Sequence, residues 1–136
     1  MIAMSFNVRT FTVARQVELE PVVRDMTATG CSPDVILVQE ARVTAVQFSR
    51  RGLAGYQRFA VLVPDGRAGG GLMTFVRMDI TAHVAFSEQR ALVVELNETM
   101  PPLRFANVYR SQDVDTVAGV GEGFFAMAKT ISGSAT

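Results

Sequence analysis

The sequence predicts an α/β domain built on a mixed, largely antiparallel sheet. Three observations carry that prediction. A single strand–helix–strand unit opens the chain, and five strand-length segments follow with only one short helical or turn segment among them. The composition, 49% hydrophobic and 19% charged, is that of a globular chain rather than a disordered one. A length of 136 residues leaves room for one domain.

The elements follow in order. Residues 2–9, Ile-Ala-Met-Ser-Phe-Asn-Val-Arg, read as a strand with an amide near its end. Residues 14–29 read as a helix whose apolar stripe is Leu19, Val22, Val23 and Met26. Pro21 lies inside this stretch and either opens the helix or kinks it. Gly30 followed by Pro33 stops it. The run Val35-Ile-Leu-Val-Gln39-Glu40 is the most informative segment of the chain. Four consecutive apolar residues fit a strand buried on both faces. Such a strand does not end on a carboxylate without a partner for it, because burying an unpaired charge is costly. Glu40 is therefore expected where the strand emerges into a cleft, and α/β folds build sites at the carboxyl ends of strands. The plainer alternative is that Glu40 meets solvent.

Residues 43–53 form a short helix or turn anchored by Val46 and Phe48, and residues 56–63 form the next strand. Pro64-Asp65-Gly66 is a turn, and Ala68-Gly-Gly-Gly71 is a flexible approach to a strand over 72–78. Strands at 80–87, 91–97 and 103–109 complete the pattern, with Asn97-Glu-Thr-Met-Pro-Pro102 turning between the last two. Residues 111–136 differ. Their apolar positions have helical spacing, but Gly119, Gly121 and Gly123 weaken a helix. Gly119-Val-Gly-Glu-Gly123 resembles a phosphate loop without the following Lys-Ser/Thr, so it carries little weight.

Formal net charge is zero, from 13 basic and 13 acidic residues. The distribution is uneven. Residues 41–110 hold nine Arg against five acids, a net of +4, while the segments on either side are each at −2. Arg grips phosphate in a bidentate fork, which suits a phosphodiester substrate, although Arg-for-Lys usage also follows genome composition. The one cysteine, Cys31, excludes an internal disulfide and a cysteine zinc centre, and is expected to be a packing residue. No signal peptide is evident, and no apolar run approaches the roughly 20 residues that span a bilayer.

Four segments resemble, in order and spacing, the endonuclease/exonuclease/phosphatase superfamily with its DNase I-like fold. They are the strand bearing Asn7, Gln39-Glu40, the glycine run leading into the strand at 72, and Asn107-Val-Tyr109. The chain looks most similar to the apurinic/apyrimidinic-like endonuclease domains of non-LTR retrotransposons, over residues 2–112. The resemblance implies a DNase I-like sandwich of which this chain supplies the first sheet and its flanking helix, with the second half missing. Residues 1–112 would be the N-terminal half of that domain and 113–136 a divergent tail. The inner sheet face would then be exposed, an association hazard.

The resemblance also implies roles. Glu40 would bind a divalent metal, Mg²⁺ or Mn²⁺; hard cations prefer carboxylate oxygen and keep waters for a phosphate to displace. Asn7 would join Glu40 at that metal and serve catalysis. Tyr109 would place its hydroxyl near the scissile phosphate. Asn107 and Arg110 would contact the substrate phosphate. Gln39 is expected on the opposite face from Glu40, because strand side chains alternate. His83, the only histidine, does not match the family's catalytic histidine and reads as an edge or surface residue. The family's Gly-Asp-Phe-Asn-like motif and its C-terminal Asp-His pair have no counterpart, and Ser111-Gln112 replaces the usual proline after Tyr109.

These observations lead to a metal-dependent endonuclease-type phosphodiesterase acting on DNA, truncated and inactive as this chain. A phosphoesterase of the same fold acting on a lipid or inositol phosphate is one alternative. A non-catalytic module that self-associates through its exposed sheet face is another. Location is expected to be intracellular, in the nucleus if the substrate is DNA, with no membrane partner.

Overall fold

The computed structural model describes residues 1–63, 70–98 and 100–109. Seven strands and two helices run in the order β1 (Ala3–Asn7), α1 (Val13–Ala28), β2 (Val35–Gln39), α2 (Ala45–Phe48), β3 (Tyr56–Val61), β4 (Leu72–Arg77), β5 (Ala82–Glu88), β6 (Ala91–Leu96) and β7 (Leu103–Val108). Every strand expected from the sequence is present, most of them a residue or two shorter.

The strands divide into two sheets. The first has the order β1-β2-β4-β3 and the second the order β5-β6-β7. In the first, β1 and β2 are parallel, whereas β4 runs antiparallel to both β2 and β3. The parallel pair needs a crossover, and α1 supplies it. The second sheet is a plain antiparallel meander, with a bulge between Val84 and Phe86.

Thr12 caps α1, its hydroxyl accepting from Arg15 N at 3.1 Å. The helix continues through Pro21. Leu19 and Val23 seat it on the outer face of the first sheet, against Ile36, Val38, Met73, Phe75 and Tyr56. The opposite face, carrying Val35, Leu72 and Val76, packs on Leu92, Val94 and Leu96 of β6. Strand β4 is thus covered on both sides, and its first five residues are all buried.

This arrangement corrects one expectation. The inner face of the first sheet is not left open, because β5–β7 form a second sheet that covers it. The apolar surface expected to drive self-association is therefore largely buried. The cover stops short of β1. Ala3, Ser5 and Asn7, which alternate along that edge strand, are exposed, while Met4 and Phe6 pack toward α1. Among the described residues nothing covers the end of β1, and the candidate site lies there.

Cys31 is also not a packing residue; its thiol is exposed after the end of α1. His83 lies on edge strand β5, on the outer face of the second sheet. It is about half exposed, near Glu95 and Asn97. Arg110 and the tail assigned to 113–136 lie outside the described residues.

Candidate active site

β1 and β2 run in parallel and end side by side, with Asn7 opposite Gln39. Past both ends the backbone takes left-handed turns at non-glycine residues: φ is 61° at Arg9, 53° at Glu40 and 50° at Arg42. Such values are costly for residues with a Cβ and persist only where neighbouring structure holds them. Hydrogen bonds hold this one from two sides. Phe11 N donates to Ala41 O at 2.8 Å on the β1 side. Ala41 N donates to Gly71 O at 3.0 Å, and Arg42 N to Gly70 O at 3.1 Å, on the β4 side.

The left-handed turn decides where Glu40 points. Simple alternation would place Glu40 opposite Gln39, and that expectation fails. Both residues line one cleft of about 470 Å³ together with Ser5, Asn7, Leu37, Ala106, Val108 and Tyr109. Alternation holds only while the chain stays extended, and it ends at Glu40.

The Glu40 side chain is 17% exposed. Its Oε1 accepts from Asn7 Nδ2 at 3.0 Å. Asn7 Oδ1 in turn accepts from Arg9 N at 3.0 Å. One partner can only donate and the carboxylate can only accept, so the orientation of the amide is fixed chemically. Arg42 Nη2 lies 3.4 Å from Glu40 Oε2, a weak contact, and Arg42 Nη1 lies 3.4 Å from Thr10 Oγ1. Arg42 Nε is buried with no hydrogen-bond partner among the described residues. Glu40 therefore keeps an oxygen that is only weakly engaged, facing a polar cleft.

Tyr109 follows β7. Its N donates to Arg90 O at 3.0 Å, and its ring packs against the inter-sheet core while lining the same cleft. The structure thus brings together Asn7, Glu40 and Tyr109, three residues 102 positions apart in the chain at most, at one end of the sandwich.

Asn107 behaves differently. It is fully buried between the sheets. Its Nδ2 lies 3.2 Å from Val38 O, 3.0 Å from Met73 O and 3.2 Å from Thr74 Oγ1. Its Oδ1 accepts from Gln39 Nε2 at 2.8 Å. The expected contact between Asn107 and a substrate phosphate is corrected: the amide is enclosed and its polar atoms are taken, so it pins β7 to β2 and β4. Gln39 has the structural role expected of it, since it also donates to Ser5 Oγ at 3.1 Å.

Arg42 and Gly71 were not recognised in the sequence as site residues. The Glu-x-Arg spacing after a strand was the available signal for Arg42. For Gly71 it was the glycine run, read as a flexible approach; Gly70 and Gly71 are instead bonded to the Glu40 turn.

Among the described residues no three His, Cys, Asp or Glu side chains gather to hold a metal. Among the described residues Glu40 is the one carboxylate lining the cleft. One carboxylate, an orienting amide and open space fit Mg²⁺, which keeps most of its waters and uses one or two carboxylates plus substrate oxygens. They do not fit zinc, which takes three or four nitrogen or sulfur-rich protein ligands. No described helix is long and apolar enough to cross a membrane.

Comparison with known proteins agrees with this fold. The endonuclease/exonuclease/phosphatase family matches residues 4–114, and the chain belongs to that family. Among solved structures it is similar to the AP endonuclease LMAP from Leishmania major, with a TM-score of 0.58 and 16% identity over 79% of this chain. It is also similar to the APE2 catalytic domain of Xenopus laevis, with a TM-score of 0.51 and 17% identity over 82% of this chain. At these identities the likeness concerns the fold. The chain spans 39% of the first protein's length and 46% of the second's. No curated protein matches the sequence.

Proposed function

We propose that this member of the endonuclease/exonuclease/phosphatase family is the metal-binding part of a divalent-metal-dependent phosphodiesterase acting on DNA, of retrotransposon-like lineage. The observation that carries the reading is the convergence of Glu40, Asn7 and Tyr109 on one cleft from three separate strand ends. One structural relative is named as an AP endonuclease, which favours DNA over a lipid or inositol phosphate.

In this reading Glu40 holds Mg²⁺ or Mn²⁺ through its weakly engaged oxygen. The ion supplies a Lewis acid for a phosphate oxygen. Asn7 aims the carboxylate through its Nδ2 and adds no charge. Its Oδ1 is already bonded to Arg9 N, so Asn7 serves as an orienting group in preference to a direct ligand. Tyr109 donates its hydroxyl to a phosphate oxygen at the cleft wall. Arg110, next in the chain and outside the described residues, is assigned to the same phosphate on its sequence position alone.

A base to activate water is not among these groups. Among the described residues no aspartate or histidine lines the cleft, and His83 faces outward from the second sheet. Acid–base groups and metal act as a unit in such reactions, so we read the 136-residue chain as inactive by itself. Nicking of supercoiled plasmid with Mg²⁺ tests this. We expect no nicking above background by the purified chain, together with salt-dependent DNA binding. Robust nicking that disappears in Glu40→Ala would overturn the inactivity and retain the site; absence of DNA binding at low salt would overturn the substrate.

A further inference from the structure

We infer that Gly71 is a positioning residue for Glu40: it closes a backbone strap that holds the left-handed turn and so delivers the carboxylate to the cleft. The inference rests on the reading of Glu40 as the cation-binding carboxylate and adds the device that aims it.

Three observations support it. First, Glu40 lines the same cleft as Gln39 only because φ at Glu40 is 53°, which breaks strand alternation. Second, the two bonds that fix the following residues on the β4 side both end on Gly70 and Gly71. Third, of the two strap glycines the fit is tight at Gly71. A Cβ on Gly71 would lie 2.8 Å from Arg42 N, 3.2 Å from Arg42 Cα and 3.3 Å from Val63 Cγ1. Two of those atoms are backbone of the turn itself and cannot move without it. At Gly70 a Cβ would meet only Val63 Cγ1, at 4.0 Å. Both glycines also need φ above 80°, which disfavours any Cβ.

The space that a side chain would take at Gly71 is therefore occupied by the backbone of Glu40's own turn. Adding a methyl pushes Arg42 away, which moves Glu40 relative to Asn7 and Arg42. The effect reaches the metal through Glu40; Gly71 itself touches no substrate.

Gly55 provides a control. Its φ is 85°, and a Cβ there meets nothing within 4 Å. Gly55→Ala thus imposes similar backbone strain away from the site, with no push on the turn. The experiment compares wild type, Gly71→Ala, Gly70→Ala, Gly55→Ala and Glu40→Gln in two ways. The Asn7 side-chain amide resonances report the bond to Glu40 without metal. Calorimetry with Mn²⁺ reports the cation.

Gly71→Ala is expected to shift the Asn7 amide toward its position in Glu40→Gln and to weaken Mn²⁺ binding about tenfold or more, the scale typical of lost ligand orientation. Gly55→Ala is expected to melt earlier than wild type and to leave both readouts unchanged. Gly70→Ala is expected to show a smaller shift in the direction of Gly71→Ala, and it carries the test if Gly71→Ala does not fold. Wild-type Asn7 resonances and wild-type Mn²⁺ affinity in a folded glycine variant at the strap would overturn the inference, as would an equal effect from Gly55→Ala. If Glu40→Gln binds Mn²⁺ as wild type does, the metal reading fails, and the Asn7 amide still decides the positioning claim.

Discussion

Asn7 and Asn107 are the same residue type at the same kind of place, the end of a strand near the open end of the sandwich, and they do opposite work. Asn107 is sealed between the sheets, where its amide meets a side chain from β2, one from β4 and two backbone carbonyls. Asn7 is exposed and holds a single carboxylate and a single backbone N–H. The first network is closed: every partner is protein, and its loss leaves buried groups bare. The second is open: Glu40 retains an oxygen for a ligand. The difference comes from where the second sheet ends. β7 lies over β2 and β4, so an amide on β7 is enclosed; among the described residues nothing comparable lies over β1, so an amide there faces the cleft.

The largest expected effect breaks the closed network. Asn107→Ala leaves Gln39 Nε2 and the Thr74 hydroxyl without their buried partner, and should cost about 3 kcal/mol in urea unfolding. A loss under about 1 kcal/mol would mean that water replaces the amide and that the pin is dispensable. Next, Thr74→Val removes one buried hydroxyl while keeping its volume, and should cost about 1 kcal/mol because Asn107 keeps three other partners. Asn7→Ala should cost less, under about 1 kcal/mol, because its groups return to water. Its effect should appear in Mn²⁺ affinity instead, weakened roughly tenfold by calorimetry. If Asn7→Ala destabilised the chain as much as Asn107→Ala, the distinction between the two networks would fail.

The smallest effect comes from the other end of the first sheet. There Arg77 bonds the exposed Asp79 and also Asp34. The side-chain hydrogen bond from Arg77 holds the Asp79 carboxyl below the ordinary carboxylate range. The folded value is depressed, so the stabilisation is present above the unfolded value of about 4 and is lost as pH falls through the folded one. The pair is solvent-exposed and screened, so Asp79→Asn should barely move the melting temperature at neutral pH. The small difference from wild type should vanish on acidification and in high salt. A difference that grows toward acid pH would contradict the direction.

The strands were legible because their period and apolar runs are local properties. Val35-Ile-Leu-Val38 reads as a doubly covered strand from four residues, and it is one. The split into two sheets was not legible. β4 and β5 are separated by only a short turn, and nothing in the sequence of β5 says that it leaves the first sheet; that choice belongs to pairing with β6 and β7. The candidate residues were legible as types in order, and the structure places Glu40, Asn7 and Tyr109 around one cleft. The role of Asn107 was not, because burial depends on which strand lies above which. The direction of Glu40 was hidden for a related reason. A left-handed turn at a glutamate is imposed from outside, by Ala41 and Arg42 bonding Gly71 and Gly70, and glutamate itself gives no hint of it.

The most direct test of the open site is isothermal calorimetry of Mg²⁺ and Mn²⁺ on wild type and Glu40→Ala, after circular dichroism has established that both fold. The cleft predicts saturable binding of one ion per chain in wild type, and its loss in Glu40→Ala at unchanged secondary structure. Binding that survives the substitution, or a folded wild-type chain that binds neither ion, would contradict the assignment of Glu40 as the metal-holding carboxylate.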